Sequence, residues 1–189
     1  LPAQTFPEFI EYARRANPPL NYASGGNGSQ HHLTMERLKA RTGINMIHVP
    51  YKSGAPATTA TVAGEVAAMM SGTSTAGQIR AGRLRALAFT GPQRSQLLPD
   101  VPTIAESYPD FVMVQWYGLF APAGTPEPVL SRLRFEVNKA LVLPEVKEKL
   151  RNAGGVEPWI TSAEEFAAEL RSEFTKYAKL VKDVGAKID

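Results

Sequence analysis

The sequence predicts an α/β fold, a parallel sheet with crossover helices, and three observations carry that prediction. Strand, polar turn and helix recur three times at a spacing of about 20 to 25 residues, which suits parallel neighbours joined by helical crossovers. The short apolar runs 20–23, 45–49 and 66–70 each end in Gly, Ser or Pro, and helical periodicity resumes just beyond them. The chain has 189 residues, 43% hydrophobic and 21% charged, enough for one good-sized core or two small ones.

The first elements alternate regularly. Thr5 and Glu8 form a capping box that opens a short helix through Phe9, Ile10 and Ala13, stopped before Pro18 and Pro19. Strand 20–23 runs into the turn Ser24-Gly25-Gly26-Asn27-Gly28, and Leu33, Met35, Leu38 and Ile44 mark a helix closed near Gly43. Strand 45–49 ends at Pro50, and a loop from Lys52 to Pro56 opens a small-residue helix through Val62, ended by Gly64. A third strand, 66–70, leads through the polar turn 71–74 to a helix ending at Gly82, and 84–89 reads as a fourth strand.

Residues 91–102 then form a long connection rich in Pro and polar residues. A longer strand is expected at 112–119, carrying Trp116 and Tyr117 in a core-packing role. Thr125 reads as a helix cap with Pro126 at the first helical position, and Val129, Leu130, Leu133, Val137 and Leu141 keep a helical period. A second helix at 144–153 precedes a strand around 156–160. The last helix starts from a Ser162 and Glu165 capping box, with Phe166, Leu170, Phe174, Tyr177, Val181 and Val184 on one face. Its acidic start and lysine-rich end suit the helix dipole.

Charge and composition exclude several classes of function. The net charge is +3, and the excess lies within residues 1–125. The positive residues are scattered (Arg14, Arg37, Lys52, Arg80, Arg94), with no basic stripe interleaved with aromatics, so a nucleic-acid partner is not expected. The balance favours small anions. The absence of cysteine removes disulfides, thiolate catalysis and sulfur-ligated zinc. No run approaches the roughly 18 apolar residues of a membrane-spanning helix. The chain begins at Leu1 without a basic-then-apolar leader, which is expected of a processed or shortened piece of a longer protein.

The segment with the most chemistry is Ser24 to Ser29, between strand and helix. Its glycines admit a ligand close to backbone amides, and the helix start adds unpaired N–H groups and positive potential. Ser24, Asn27 and Ser29 add side-chain hydrogen bonds, a set suited to a carboxylate or phosphate. A plain glycine-rich turn with Ser29 as helix cap is the competing reading. The turns around Lys52 to Pro56 and from Ser71 fall at the same end of the inferred sheet, where parallel α/β sheets bind ligands. Lys52 supplies a charge for an anion there.

A metal is not expected: His31 and His32 point about 100° apart on a helix, and His32 with Glu36 gives two ligands at most. A serine–histidine–acid triad lacks its Gly-x-Ser-x-Gly elbow. An enzyme binding a phosphorylated or nucleotide ligand on a Rossmann-like turn is the alternative. It needs an acid as base or ribose partner, and the nearest, Glu36 and Glu65, read as solvated.

Several motifs together carry a family resemblance. Asn21-Tyr22-Ala23-Ser24-Gly25-Gly26-Asn27-Gly28-Ser29 with His32-Leu33, and the run from His48-Val49-Pro50-Tyr51-Lys52 to Ala57, are similar to segments of the Bug-type receptors. These are extracytoplasmic substrate-binding proteins of tripartite tricarboxylate transporters. Ala81-Gly82-Arg83-Leu84-Arg85, Leu98-Pro99-Asp100-Val101-Pro102-Thr103 and Ala121-Pro122-Ala123-Gly124-Thr125-Pro126 match further signatures in order along the chain.

The resemblance implies a periplasmic-binding-protein-like fold of two lobes that closes on a small dicarboxylate, tricarboxylate or acidic amino acid. It implies no catalysis, no cofactor and no metal, a periplasmic location, and membrane transporter subunits as partners. Position by position, the ligand-facing set is Ser24, Gly25, Asn27, Gly28 and Ser29, with Lys52, Ser53 and Ala55 beside them and Ser71 on the third turn. After the third strand the family often carries an Asp-Asn pair. Here the segment reads Met70-Ser71-Gly72-Thr73 and is one residue shorter.

The resemblance also implies a preceding first lobe. On that basis residues 1–115 form one nearly complete ligand-binding lobe, and 116–189 are the C-terminal part of a second lobe. The second piece then exposes strand edges and apolar helix faces, and the chain is expected to pair with another copy through them.

Overall fold

The parallel sheet forms from three short, apolar runs. In the computed structural model, which describes residues 1–72, 75–154 and 156–185, α1 (Phe6–Arg15) precedes β1 (Leu20–Ser24), α2 (Gln30–Thr42) and β2 (Met46–Pro50). α3 (Gly54–Ala63), β3 (Ala68–Met69) and α4 (Ala76–Arg80) follow. The strand order is β2-β1-β3, all parallel, with Leu20 opposite Met46, Ser24 opposite Pro50 and Ala23 opposite Met69. α5 (Glu127–Leu141), α6 (Pro144–Gly154) and α7 (Ala163–Val184) complete the chain.

Alternation along β1 divides the interior in two. Tyr22 enters a cluster with Phe6, Phe9 and Ile10 of α1 and Met35 and Leu38 of α2, closed by Ile104, Phe111 and Met113. Ala23 points to the opposite face, against Ala57 and Ala60 of α3 and Val66. The small side chains there let α3 lie close over the sheet. Gly43 and Gly64 end α2 and α3 with φ of 73° and 78°, the left-handed closure expected of glycine.

Several expectations need correction. Thr5 Oγ1 caps Glu8 N, but the main bond to the Glu8 carboxylate comes from Gln4 N, at 2.7 Å, one residue before the cap. The third strand is only two residues long. Residues 84–89 are not a strand: Phe89 alone bridges to Thr103, donating to Pro102 O and accepting from Ile104 N, both at 2.8 Å. Residues 67–72 and 83–90 both line a cavity of about 450 Å³. The connection after it is pinned by Arg94, whose Nε and Nη2 donate to the Glu106 carboxylate at 2.8 and 2.6 Å.

No strand forms at 112–119 or 156–160 among the described residues. The carbonyls of the first run are taken by side chains of α2 instead of a neighbouring strand. Arg37 donates to Asp110 O at 2.7 Å and Val112 O at 2.9 Å, and Gln30 Nε2 to Val114 O at 2.9 Å. Thr125 does not cap α5; its hydroxyl donates to Pro122 O, and Pro126 takes the cap position.

α7 keeps both hydrogen bonds of its Ser162–Glu165 capping box, yet Phe174 stands 78% exposed while Glu173 occupies the inward position beside it. α7 docks on α2 through Tyr177, whose hydroxyl accepts from Gln30 Nε2 at 3.1 Å. Trp116 packs edge-on against Phe166 rather than into the main core, and Tyr117 is exposed.

Candidate functional site

Because Ser24 pairs with Pro50, β1 and β2 release their following turns side by side at the same sheet edge. Tyr51 N extends the ladder to Ser24 O at 3.0 Å. The β1 turn then crosses the start of α3 so closely that a Cβ on Gly25 would lie 3.3 Å from Gly54 N and 3.4 Å from the Ser53 carbonyl carbon. Gly26, at φ 125°, faces Tyr51 O in a conformation that L side chains rarely adopt. Two of the three expected turns are thus brought into contact.

Hydrogen-bond accounting shows which groups are already used. Gly26 N donates to Ser24 Oγ at 3.1 Å, Gly28 N to His32 Nδ1 at 3.0 Å, and Ser29 N to Gly26 O at 3.2 Å. Ser29 caps α2 by accepting from His32 N. Gly25 N makes no hydrogen bond among the described residues. Ser53 stands at the cap position of α3, yet its hydroxyl makes no capping bond, so the first-turn amides of that helix have no side-chain cap. The N-terminus of α3 therefore concentrates unpaired donors and dipole potential beside Gly25. Lys52, Ser53 and Ala55 are exposed at its rim, as is Asn27 on the facing turn.

The other expected residues fall elsewhere. Ser24 is fully buried behind the turn, its Oγ 2.6 Å from His48 Nε2 and 3.0 Å from Gly26 O. Ser71 is exposed at the exit of β3 and lines the 450 Å³ cavity, which includes none of the residues expected on the first two turns. The remaining two residues of the third turn, 73 and 74, lie outside the described residues. His31 also lines that cavity, and its Nε2 is buried with no partner among the described residues.

A polar layer that sequence reasoning did not place sits under the turn. His48 stacks on Tyr22 at 4.9 Å and on His32 at 4.0 Å, the two imidazoles tilted by only 7°. The Tyr22 hydroxyl donates to Glu36 at 2.5 Å, and Lys39 donates to the same carboxylate at 2.7 Å. Glu36 is thus largely buried and bonded, not solvated as expected. Burial pushes its pKa up, but the bonds from Lys39 and Tyr22 outweigh that and hold it below the usual carboxylate range.

Burial also lowers the pKa of His31 and His32, and burial with the adjacent His32 brings His48 down to about 4. The register that places Tyr22 opposite His48 is the signal that would have exposed this layer.

The chain was compared with known proteins. Residues 1–186 match the family model described as the tripartite tricarboxylate transporter family receptor. A protein from the tcbD-tcbE intergenic region of Pseudomonas sp. strain P51 is 42% identical over 173 residues, covering 89% of this chain and 51% of that protein. Among solved structures, Rpa4515 of R. palustris with adipate superposes with a TM-score of 0.90 at 30% identity, covering 98% of this chain and 62% of the other. The periplasmic binding protein BugD gives 0.89 at 31% identity, with 99% and 64% covered. MatC from Rhodopseudomonas palustris with bound malate gives 0.80 at 29%, with 95% and 63% covered. The chain spans about half the length of the curated relatives it matches, and its fold is that of periplasmic-binding-protein-like α/β receptors.

Proposed function

Since the chain belongs to the tripartite tricarboxylate transporter receptor family, we propose that it contributes one wall of a receptor site for a small organic carboxylate delivered to a membrane transporter. The observation that carries this reading is the close approach of Gly25 to the uncapped start of α3 beyond the ends of adjoining parallel strands. Among the described residues the Gly54 and Ala55 amides, the Gly25 N–H and the nearby Lys52 side chain are donors without a matching acceptor. A carboxylate supplies two acceptor oxygens. The family is one of receptors, not enzymes, and nothing in the relatives supports the nucleotide-binding alternative.

The reading extends to organisation. Residues 1–115 act as the ligand-binding lobe and 116–189 as a segment returning to another lobe, in a protein that works outside the cytoplasm as BugD does. The exposed Tyr117, Leu119, Phe120, Phe135, Trp159 and Phe174 support pairing with a second copy through the C-terminal half-lobe. Light scattering on the 20.5 kDa chain tests the pairing, with a dimer expected and a monodisperse monomer overturning it.

A thermal-shift panel tests the function. Adipate, malate or a related di- or tricarboxylate is expected to raise the melting temperature without being consumed. Stabilisation by nucleotides alone would overturn the carboxylate reading.

A further inference from the structure

We infer that the stacked pair His32 and His48 positions the carboxylate-binding turn, His32 through the Gly28 N–H and His48 through the Ser24 hydroxyl. The inference rests on the reading of that turn and α3 as the carboxylate site.

The hydrogen-bond chemistry fixes what each ring must present. Gly28 N donates to His32 Nδ1 at 3.0 Å, so that nitrogen carries a lone pair and the proton of the neutral ring sits on Nε2. A proton on Nδ1 would set two N–H groups against each other and break the bond that holds Gly28. Ser24 Oγ meets three partners: Gly26 N at 3.1 Å, Gly26 O at 3.0 Å and His48 Nε2 at 2.6 Å. One hydroxyl proton and two lone pairs satisfy all three when Oγ donates to Gly26 O and accepts from Gly26 N and His48 Nε2. The buried serine then locks the left-handed Gly26 from beneath.

The two rings lie face to face at 4.0 Å, so charging one disfavours charging the other. The titratable and charged groups facing them are Tyr22 from β1, and Glu36 and Lys39 from α2. Lys39 and Glu36 are paired at 2.7 Å and largely cancel. Burial lowers the pKa of both rings. His32 therefore presents its bare Nδ1 at neutral pH and loses it in acid. The turn's shape is tied to that titration.

Nitrogen-15 NMR of the imidazoles and of the Gly28 amide, recorded on the ligand-free chain, tests the pair independently of any ligand. The proton of His32 is expected on Nε2, and the Gly28 amide is expected to move as acid, below the ordinary imidazole range, protonates His32. His32→Asn keeps an acceptor oxygen where Nδ1 stood but cannot take a proton, and should hold the Gly28 amide still. His32→Leu removes the acceptor and should displace that amide at every pH.

A proton on Nδ1, or the same Gly28 movement in wild type and His32→Asn, would overturn the inference. Adipate is the binding probe. Its affinity for wild type relative to His32→Asn is expected to fall about tenfold over the same acid range. Failure of adipate to bind either protein would count against the proposed function, while the tautomer and amide results would still decide the role of the pair.

Discussion

Residues 1–113 and 114–185 are built on different terms. Every buried apolar side chain among the described residues lies in the first stretch, where α1, α2 and the sheet enclose Tyr22, Leu38, Phe111 and Met113. In the second, Glu173 is the buried residue among those described, and α5 has none. Both stretches have helices with sound local signals. Capping, periodicity and charge placement thus suffice to write a helix, but only a facing element gives it a core.

The comparison is most exposed to a pair of truncations, one in each region. Leu38→Ala removes a side chain that is 1% exposed and is expected to cost about 2–5 kcal/mol in urea unfolding. Phe135→Ala in α5, 59% exposed, is expected within about 0.5 kcal/mol. Equal costs would erase the difference between the two regions.

A second effect falls on the site. Gly25→Val adds side-chain atoms against Ser53 and Gly54 and is expected to abolish the adipate thermal shift, while urea unfolding still reports a cooperative transition. Retained binding would place the ligand elsewhere.

Acid acts next, through the buried histidines of the first region. His48 and His32 have folded pKa values depressed below those of the unfolded chain, so the unfolded state binds more protons in between. Stability is expected to be full above about pH 6.5 and to fall as pH drops toward about 4, where His48 titrates. Denaturant melts across this range check the sign, and the slope should flatten when His48 is replaced by Gln. A smaller loss is expected in the second region: Ser162→Ala deletes half a capping box and should cost about 1 kcal/mol.

What the sequence disclosed follows the same division. Strands 20–24 and 46–50, their helices, and the glycine closures at Gly43 and Gly64 are local facts, written in apolar runs and turn residues. The runs at 84–89 and 112–119 have equally good strand composition. Their fate turned on partners: the first bridges only at Phe89, opposite Thr103, and Arg37 and Gln30 bind carbonyls of the second. A spacing of four from Leu170 puts Phe174 inward, whereas the helix turns Glu173, three residues on, toward the core. At the site, glycine pointed to the close approach at Gly25. The burial of Ser24 and the stacking of His32 on His48 depend on strand register, which no local pattern contains.

The most direct test of the central claim is amide shift mapping during an adipate titration. The N–H resonances of Gly25, Gly54 and Ala55 are expected to move first and furthest, with the helix α5 amides silent. Movement confined to the cavity lining around Leu84 and Met113, or none at any concentration, would contradict a carboxylate held between the β1 turn and the start of α3.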